Sequence, residues 1–180
     1  MMRFRILMMT LAGSLLLAAN WGHAADQPAP GANPLDAIPD KMPYDTLYGP
    51  PISLQRAQAV AQAAVAEATK RGWHLNVAVV DSGANLVTFV RMDGAQLASI
   101  AISEHKARTA VKFRRPTRAF EDAIQKADSK FVLSLDDVIA SRGGIPLVEN
   151  GRIIGGIGCS GGTGSQDEAV CSAAAATINK

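Results

Sequence analysis

Only two cysteines occur in the 180 residues, Cys159 and Cys171, and neither forms a Cys-x-x-Cys or Cys-x-x-Cys-His pattern. Covalent c-type haem attachment and a thioredoxin-like dithiol are therefore unsupported. His-Glu-x-x-His and clustered Cys/His zinc spacings are missing too, so the common zinc sites have no basis here. No Gly-Lys-Ser/Thr follows a glycine loop, which removes the P-loop. No internal repeat of useful length is present. Charge of one sign is lacking as well. The formal +2 rests on 18 basic and 16 acidic residues, and residues 1–24 hold two of the basic and none of the acidic ones. Without that segment the balance is zero, a poor starting point for binding nucleic acid.

That N-terminal segment reads as an export signal. Arg3 and Arg5 precede the apolar run from Ile6 to Ala19, and Gly22-His23-Ala24 offers small residues where a signal peptidase cuts. The run is too short for a good membrane anchor. The expectation is a signal peptide over 1–24 and a periplasmic or secreted protein. Residues 25–51 hold seven of the nine prolines and no sustained period, so they read as a Pro-rich tether. Tyr44, Leu47 and Tyr48 give its end a means of docking on the body or on a neighbouring subunit. Residues 52–180 are then one domain of ordinary size.

Within it, Ser53 can cap a helix running to Arg71, with Leu54, Ala57, Ala61, Ala64, Val65 and Ala68 on one stripe and Gly72 as the stop. Asn76–Asp81 and Leu86–Arg91 read as a hairpin around Ser82-Gly83-Ala84-Asn85. A helix from Leu97 to Phe113 must yield by Pro116, and another covers Thr117–Lys126. Asn150-Gly151 between Ile145–Glu149 and Arg152–Cys159 is the strongest hairpin signal in the chain. A last helix runs from Gln166 to Ile178. Helix, hairpin, two helices, hairpin, helix gives an α+β class with an antiparallel sheet covered by helices.

Two segments carry the candidate chemistry. The first is Gly155–Gly164, between an apolar strand and a helix start. Exposed backbone amides and a helix N-terminus there suit an anionic group, with Gly161 and Gly162 at the centre. A sterically tight turn packed on another element explains the glycines equally well. The second is the helix Leu97–Phe113. At 100° per residue Ile100, Ser103, Ala107, Ala110 and Val111 share the core face. His105, Thr109 and Lys112 fall opposite, with Arg108 beside them and Ile102 and Phe113 at the other edge. Such a face is either a ligand cleft or a subunit interface. Ser103-Glu104-His105-Lys106 fits Ser-x-x-Lys, but no Ser-Asp-Asn or Lys-Thr-Gly accompanies it, and Ser103 points inward. Met92 and His74 are weaker candidates, better explained by packing and by a strand start. The two cysteines pair, or remain as two buried thiols; spacing does not decide.

The ordered set Tyr48-Gly49-Pro50-Pro51-Ile52-Ser53-Leu54, Val79-Val80-Asp81-Ser82-Gly83, Arg91-Met92-Asp93-Gly94-Ala95, Lys106-Ala107-Arg108-Thr109-Ala110, Phe113-Arg114-Arg115-Pro116-Thr117 and Gly155–Gly164 resembles the GlcG/HbpS family of haem-binding-type proteins. The resemblance covers residues 48–178. It implies a profilin-like α/β/α domain and homo-oligomers, octamers in some members. It also implies non-covalent haem binding and redox sensing in exported members. A threonine of the Lys-Ala-x-Thr-Ala helix is implicated there as an iron ligand, and Thr109 is the matching position. His105 one turn earlier offers an alternative axial ligand. Arg108 and Lys112 would then pair with propionates, and Ile102 and Phe113 would cover the ring. Two other readings remain. One is an accessory enzyme for a small hydroxy or keto acid, using the glycine turn with Asp81, Arg91 or Asp93. The other is a structural oligomer engaging a partner through the apolar helix edge.

Overall fold

The computed structural model describes residues 37–179; the expected signal and most of the expected tether lie outside them. The compact unit begins at Met42, ten residues before the domain start read from sequence. The reason is a short strand, β1 (Leu47–Tyr48), which pairs parallel with Arg152 and Ile153. Tyr44 and Tyr48 complete the attachment. The Tyr48 hydroxyl donates to the carbonyls of Val111 (3.0 Å) and Lys112 (3.1 Å). The Tyr44 ring lies 3.7 Å from the Arg115 guanidinium.

Helix α1 (Leu54–Lys70) starts where Ser53 Oγ accepts from the Arg56 amide, and buries Ala57, Val60, Ala61, Ala64 and Ala68. Alanine at four of these five positions lets the helix lie close on its neighbours. Strands β2 (Asn76–Asp81) and β3 (Leu86–Arg91) form the first hairpin. Asp81 Oδ1 closes its turn by accepting from the amides of Gly83 (2.8 Å) and Asn85 (2.9 Å). Helix α2 (Ser99–Lys112) and helix α3 (Arg118–Ala127) follow. A short 3₁₀ turn over Lys130–Ser134, not foreseen in the sequence, comes next. Strands β4 (Gly144–Glu149) and β5 (Arg152–Ser160) form the second hairpin. Asn150 (φ 49°) and Gly151 (φ 70°) take the left-handed conformation that a two-residue hairpin loop requires. Helix α4 (Gly164–Ala175) ends three residues short of the Ile178 expected.

β5 is the centre of the sheet. β2 pairs with it along residues 155–160, β1 continues past the end of β2, and β4 pairs along residues 152–158. All pairings except that of β1 are antiparallel. Alternation along β2 divides the core in two. Val77 and Val79 pack with α1 and α4, whereas Ala78 and Val80 pack with Ala107 and Val111 of α2. The architecture is thus α/β/α, with α1 and α4 on one face and α2 on the other.

Candidate functional site

α2 lies directly on the sheet because the strands beneath it lack side chains. A Cβ added at Gly144 or Gly158 would collide with the carbonyl oxygens of Lys106 and Ser103, and one at Gly156 with Val111. This accounts for much of the glycine run and corrects the expected turn. Gly155–Ser160 are buried strand; the bare Cα atoms of Gly156 and Gly158 admit α2, and Gly155 lies close against Val80 of the neighbouring strand. Only 161–163 turn. There the Gly162 amide donates to Asp167 Oδ1 at 3.0 Å, and the Thr163 amide donates to Gln166 Oε1 at 2.8 Å. The anion at this helix N-terminus is the chain's own Asp167.

Asp167 has a second partner. Lys106 extends inward from α2 and its Nζ donates to Asp167 Oδ2 (2.8 Å) and to the Cys159 carbonyl (3.2 Å). The two side chains are 1% and 3% exposed. Burial pushes the Asp167 carboxyl above its ordinary value, against the pull of Lys106 and of the Gly162 and Gly161 amides. Cys159 and Cys171 form a disulfide, fixing β5, which carries the carbonyl, to α4, which carries Asp167. Ser103 donates to Ile100 O, so the Ser-x-x-Lys pattern brings no nucleophile to this lysine. Helical spacing contains the signal for Lys106, three residues after Ser103 and four before Ala110. A lysine on a core stripe is the kind of residue that hydrophobicity hides.

The other side of α2 differs from expectation at one position. Thr109 does not face solvent; it is fully buried. The segment between α3 and β4 covers it. Its hydroxyl donates to the Asp137 carbonyl (2.8 Å) and accepts from the Ile139 amide (3.2 Å). Asp137 also presents its carboxylate to Lys112 Nζ. That hydrogen bond holds the Asp137 carboxyl below its ordinary value, and the charges of Lys112, His105 and Arg108 add to the effect. Of the four expected site residues, Lys112 alone bonds this carboxylate; Thr109 holds the same residue's backbone, and His105 and Arg108 contribute only their charge. Arg108 is also paired with Glu104 at 2.9 Å. Ile102 is half-buried, and Phe113 meets the Phe120 ring edge-on with centroids 5.2 Å apart. Asp137 was missed in the sequence because its partner lies 25 residues away.

A second region is concave without any rearrangement. A cleft of about 410 Å³ is lined by Val65, Thr69, Trp73, His74, Val90, Arg91, Met92 and Asp93. It shares Gly72, Trp73 and His74 with a smaller one, about 300 Å³, that reaches Gln96, Gly161 and Gly162. An aromatic plane, an imidazole, a thioether and a guanidinium thus line the first, and the glycine turn borders the second. Asp81 is excluded from this group, since it sits at the opposite end of the β2–β3 hairpin from Arg91 and is consumed by its own turn.

Residues 52–176 match the family model described as haem degrading protein HbpS-like. The chain belongs to the HbpS-like family. It is 40% identical over 109 residues to protein GlcG of Escherichia coli (strain K12), covering 61% of this chain and 81% of GlcG. A double mutant of HbpS from Streptomyces reticuli superposes with a TM-score of 0.68 at 31% identity, over 84% of this chain and all (100%) of that one. The complex of PduOC with haem gives a TM-score of 0.65 at 30% identity, over 72% and 96% of the two chains. The mixed α+β fold with its largely antiparallel sheet is the fold of these relatives.

Proposed function

We propose that this member of the HbpS-like family is an exported, homo-oligomeric protein that binds haem or a related flat, anionic molecule on the outer side of α2. One observation carries the reading. Lys112 already holds a carboxylate, that of Asp137, whose backbone carbonyl rests on Thr109, and the charges of His105 and Arg108 act on it as well. A propionate on a planar ring presents the same group, and the half-buried Ile102 of the same helix and Phe113 at its C-terminal end would offer apolar surface to the ring. Bound there, haem would supply an iron centre that a side chain of α2 would hold. His105 is the stronger donor, because the Thr109 hydroxyl is already used twice and is neutral. The haem-bound relative PduOC supports the ligand class. The buried disulfide is consistent with an oxidising compartment and so with export.

The Trp73 cleft supports a second seat for the same ligand, because it is open and offers two iron-binding side chains, His74 and Met92, beside Arg91. Haemin titration of residues 25–180, followed by absorbance, separates the two. Saturable Soret shifts weakened in His105→Ala support the α2 seat. Weakening confined to His74→Ala or Met92→Ala moves the ligand to the cleft. A non-saturating response from every protein ends the haem reading. Activity toward a small hydroxy or keto acid, the enzymatic alternative, would draw on Arg91 and Asp93 and is tested by turnover in Arg91→Ala.

A further inference from the structure

We propose that the segment Asp128–Ile139 is a built-in competitor for the α2 seat, with the Asp137 carboxylate standing where a ligand carboxylate would pair. This rests on the α2 reading above. The segment is attached lightly. Of residues 130–137, Val132 alone is buried. Asp128 (φ 49°) and Asp137 (φ 62°) are both left-handed, a conformation that aspartate adopts more readily than most residues, so the segment turns tightly at each of them. Its bonds to α2 are the Lys112–Asp137 ion pair and the two hydrogen bonds at Thr109. The ion pair is open to water, with side chains 42% and 54% exposed. It is the kind of pair that holds weakly and exchanges readily.

The closed position also leaves the segment's apolar side chains unused. Phe131, Leu133 and Leu135 are 49%, 71% and 37% exposed. A flat apolar body arriving on α2 would give them a surface to cover, while its carboxylate replaced that of Asp137 on Lys112. Closure and ligand binding therefore use the same cation and exclude one another. The apparent affinity of the ligand is its intrinsic affinity multiplied by the fraction of molecules that are open.

The test is a titration of the mature chain with haemin and, separately, with metal-free protoporphyrin IX, comparing wild type with Asp137→Asn. Asparagine tolerates the left-handed backbone and so removes the charge while sparing the turn. Asp137→Asn should bind both porphyrins more tightly, by up to about fivefold, and adding Lys112→Met should cancel the gain. Equal or weaker binding by Asp137→Asn, with wild-type binding intact, overturns the competitor and leaves the haem seat standing. Saturable binding by neither protein overturns both. Binding by Asp137→Asn alone supports the competitor in its strongest form. As a second readout, hydrogen exchange at the Ile139 amide should quicken in Asp137→Asn. Unchanged protection there counts against a segment held by that charge.

Discussion

Helix α2 carries two lysine–aspartate pairs six residues apart, and they are opposite in kind. Lys106–Asp167 is sealed between helix, sheet and α4, at 1% and 3% exposure; Lys112–Asp137 is open to solvent at 42% and 54%. The inner pair has a fixed set of additional partners: the Cys159 carbonyl for the lysine and the Gly162 amide for the aspartate. The outer pair joins the helix to a segment with one buried residue. The same two residue types thus make a lock on one side and a displaceable contact on the other. Burial and the number of supporting hydrogen bonds decide which.

The largest break in this comparison is Lys106→Met. It leaves Asp167 buried and without its cation, and should cost about 3–5 kcal/mol, read as a loss in the denaturation midpoint. Lys106→Met combined with Asp167→Leu should recover much of that, because no orphaned charge remains. Full destabilisation persisting in the double variant would mean that the volume, not the charge, was the lock. Next comes the disulfide, which ties together the two elements that hold the inner pair. Cys159→Ala with Cys171→Ala closes off a 12-residue loop constraint and should cost roughly 2–4 kcal/mol. If so, reductant should lower the melting temperature of the wild type and leave the variant unmoved.

How far these features could be read from the chain depends on whether their causes are local. The Asn150-Gly151 hairpin, the Ser53 cap and the alanine stripe of α1 are local patterns, and each appears where the sequence puts it. The glycine run misled because glycine signals both turns and close approach. Only the helix lying across β5 tells which. Thr109 was misplaced for a similar reason: helical geometry gives the direction of a side chain but not what covers it. The cover comes from residues 137–139, beyond the whole of α3. Pairing of Cys159 with Cys171 awaited the Cβ geometry that a strand and the next helix supply. The aromatic residues at 44 and 48 left docking on the body or on a neighbouring subunit open, and it is the body that they meet. Their spacing could not say that the contact includes the end of α2.

Lys112→Met should be far milder than Lys106→Met, below about 1 kcal/mol, since exposed pairs contribute little. Its effect should shrink further in high salt, whereas that of Lys106→Met should not. A cost as large as at Lys106, measured by chemical denaturation, would show that the outer segment is part of the fold's lock and would remove the distinction between the two pairs.

The finest test reads the carboxylates themselves. Burial raises Asp167 above its ordinary value despite Lys106, while the hydrogen bond from Lys112 lowers Asp137 below its own. On acidification Asp167 should take its proton first and Asp137 last, where two equivalent ion pairs would titrate together. The linkage signs are opposite too. At Asp137 the stabilisation is complete above the ordinary aspartate value and is lost as pH falls through the depressed one. At Asp167 the folded state holds its proton more tightly than the unfolded chain, so stability from this group falls as pH rises through the raised value. Carboxyl carbon shifts followed by NMR across the acid range, with Asp137→Asn and Asp167→Asn as assignments, resolve the order. Coincident midpoints would mean that the inner pair is solvated as freely as the outer one.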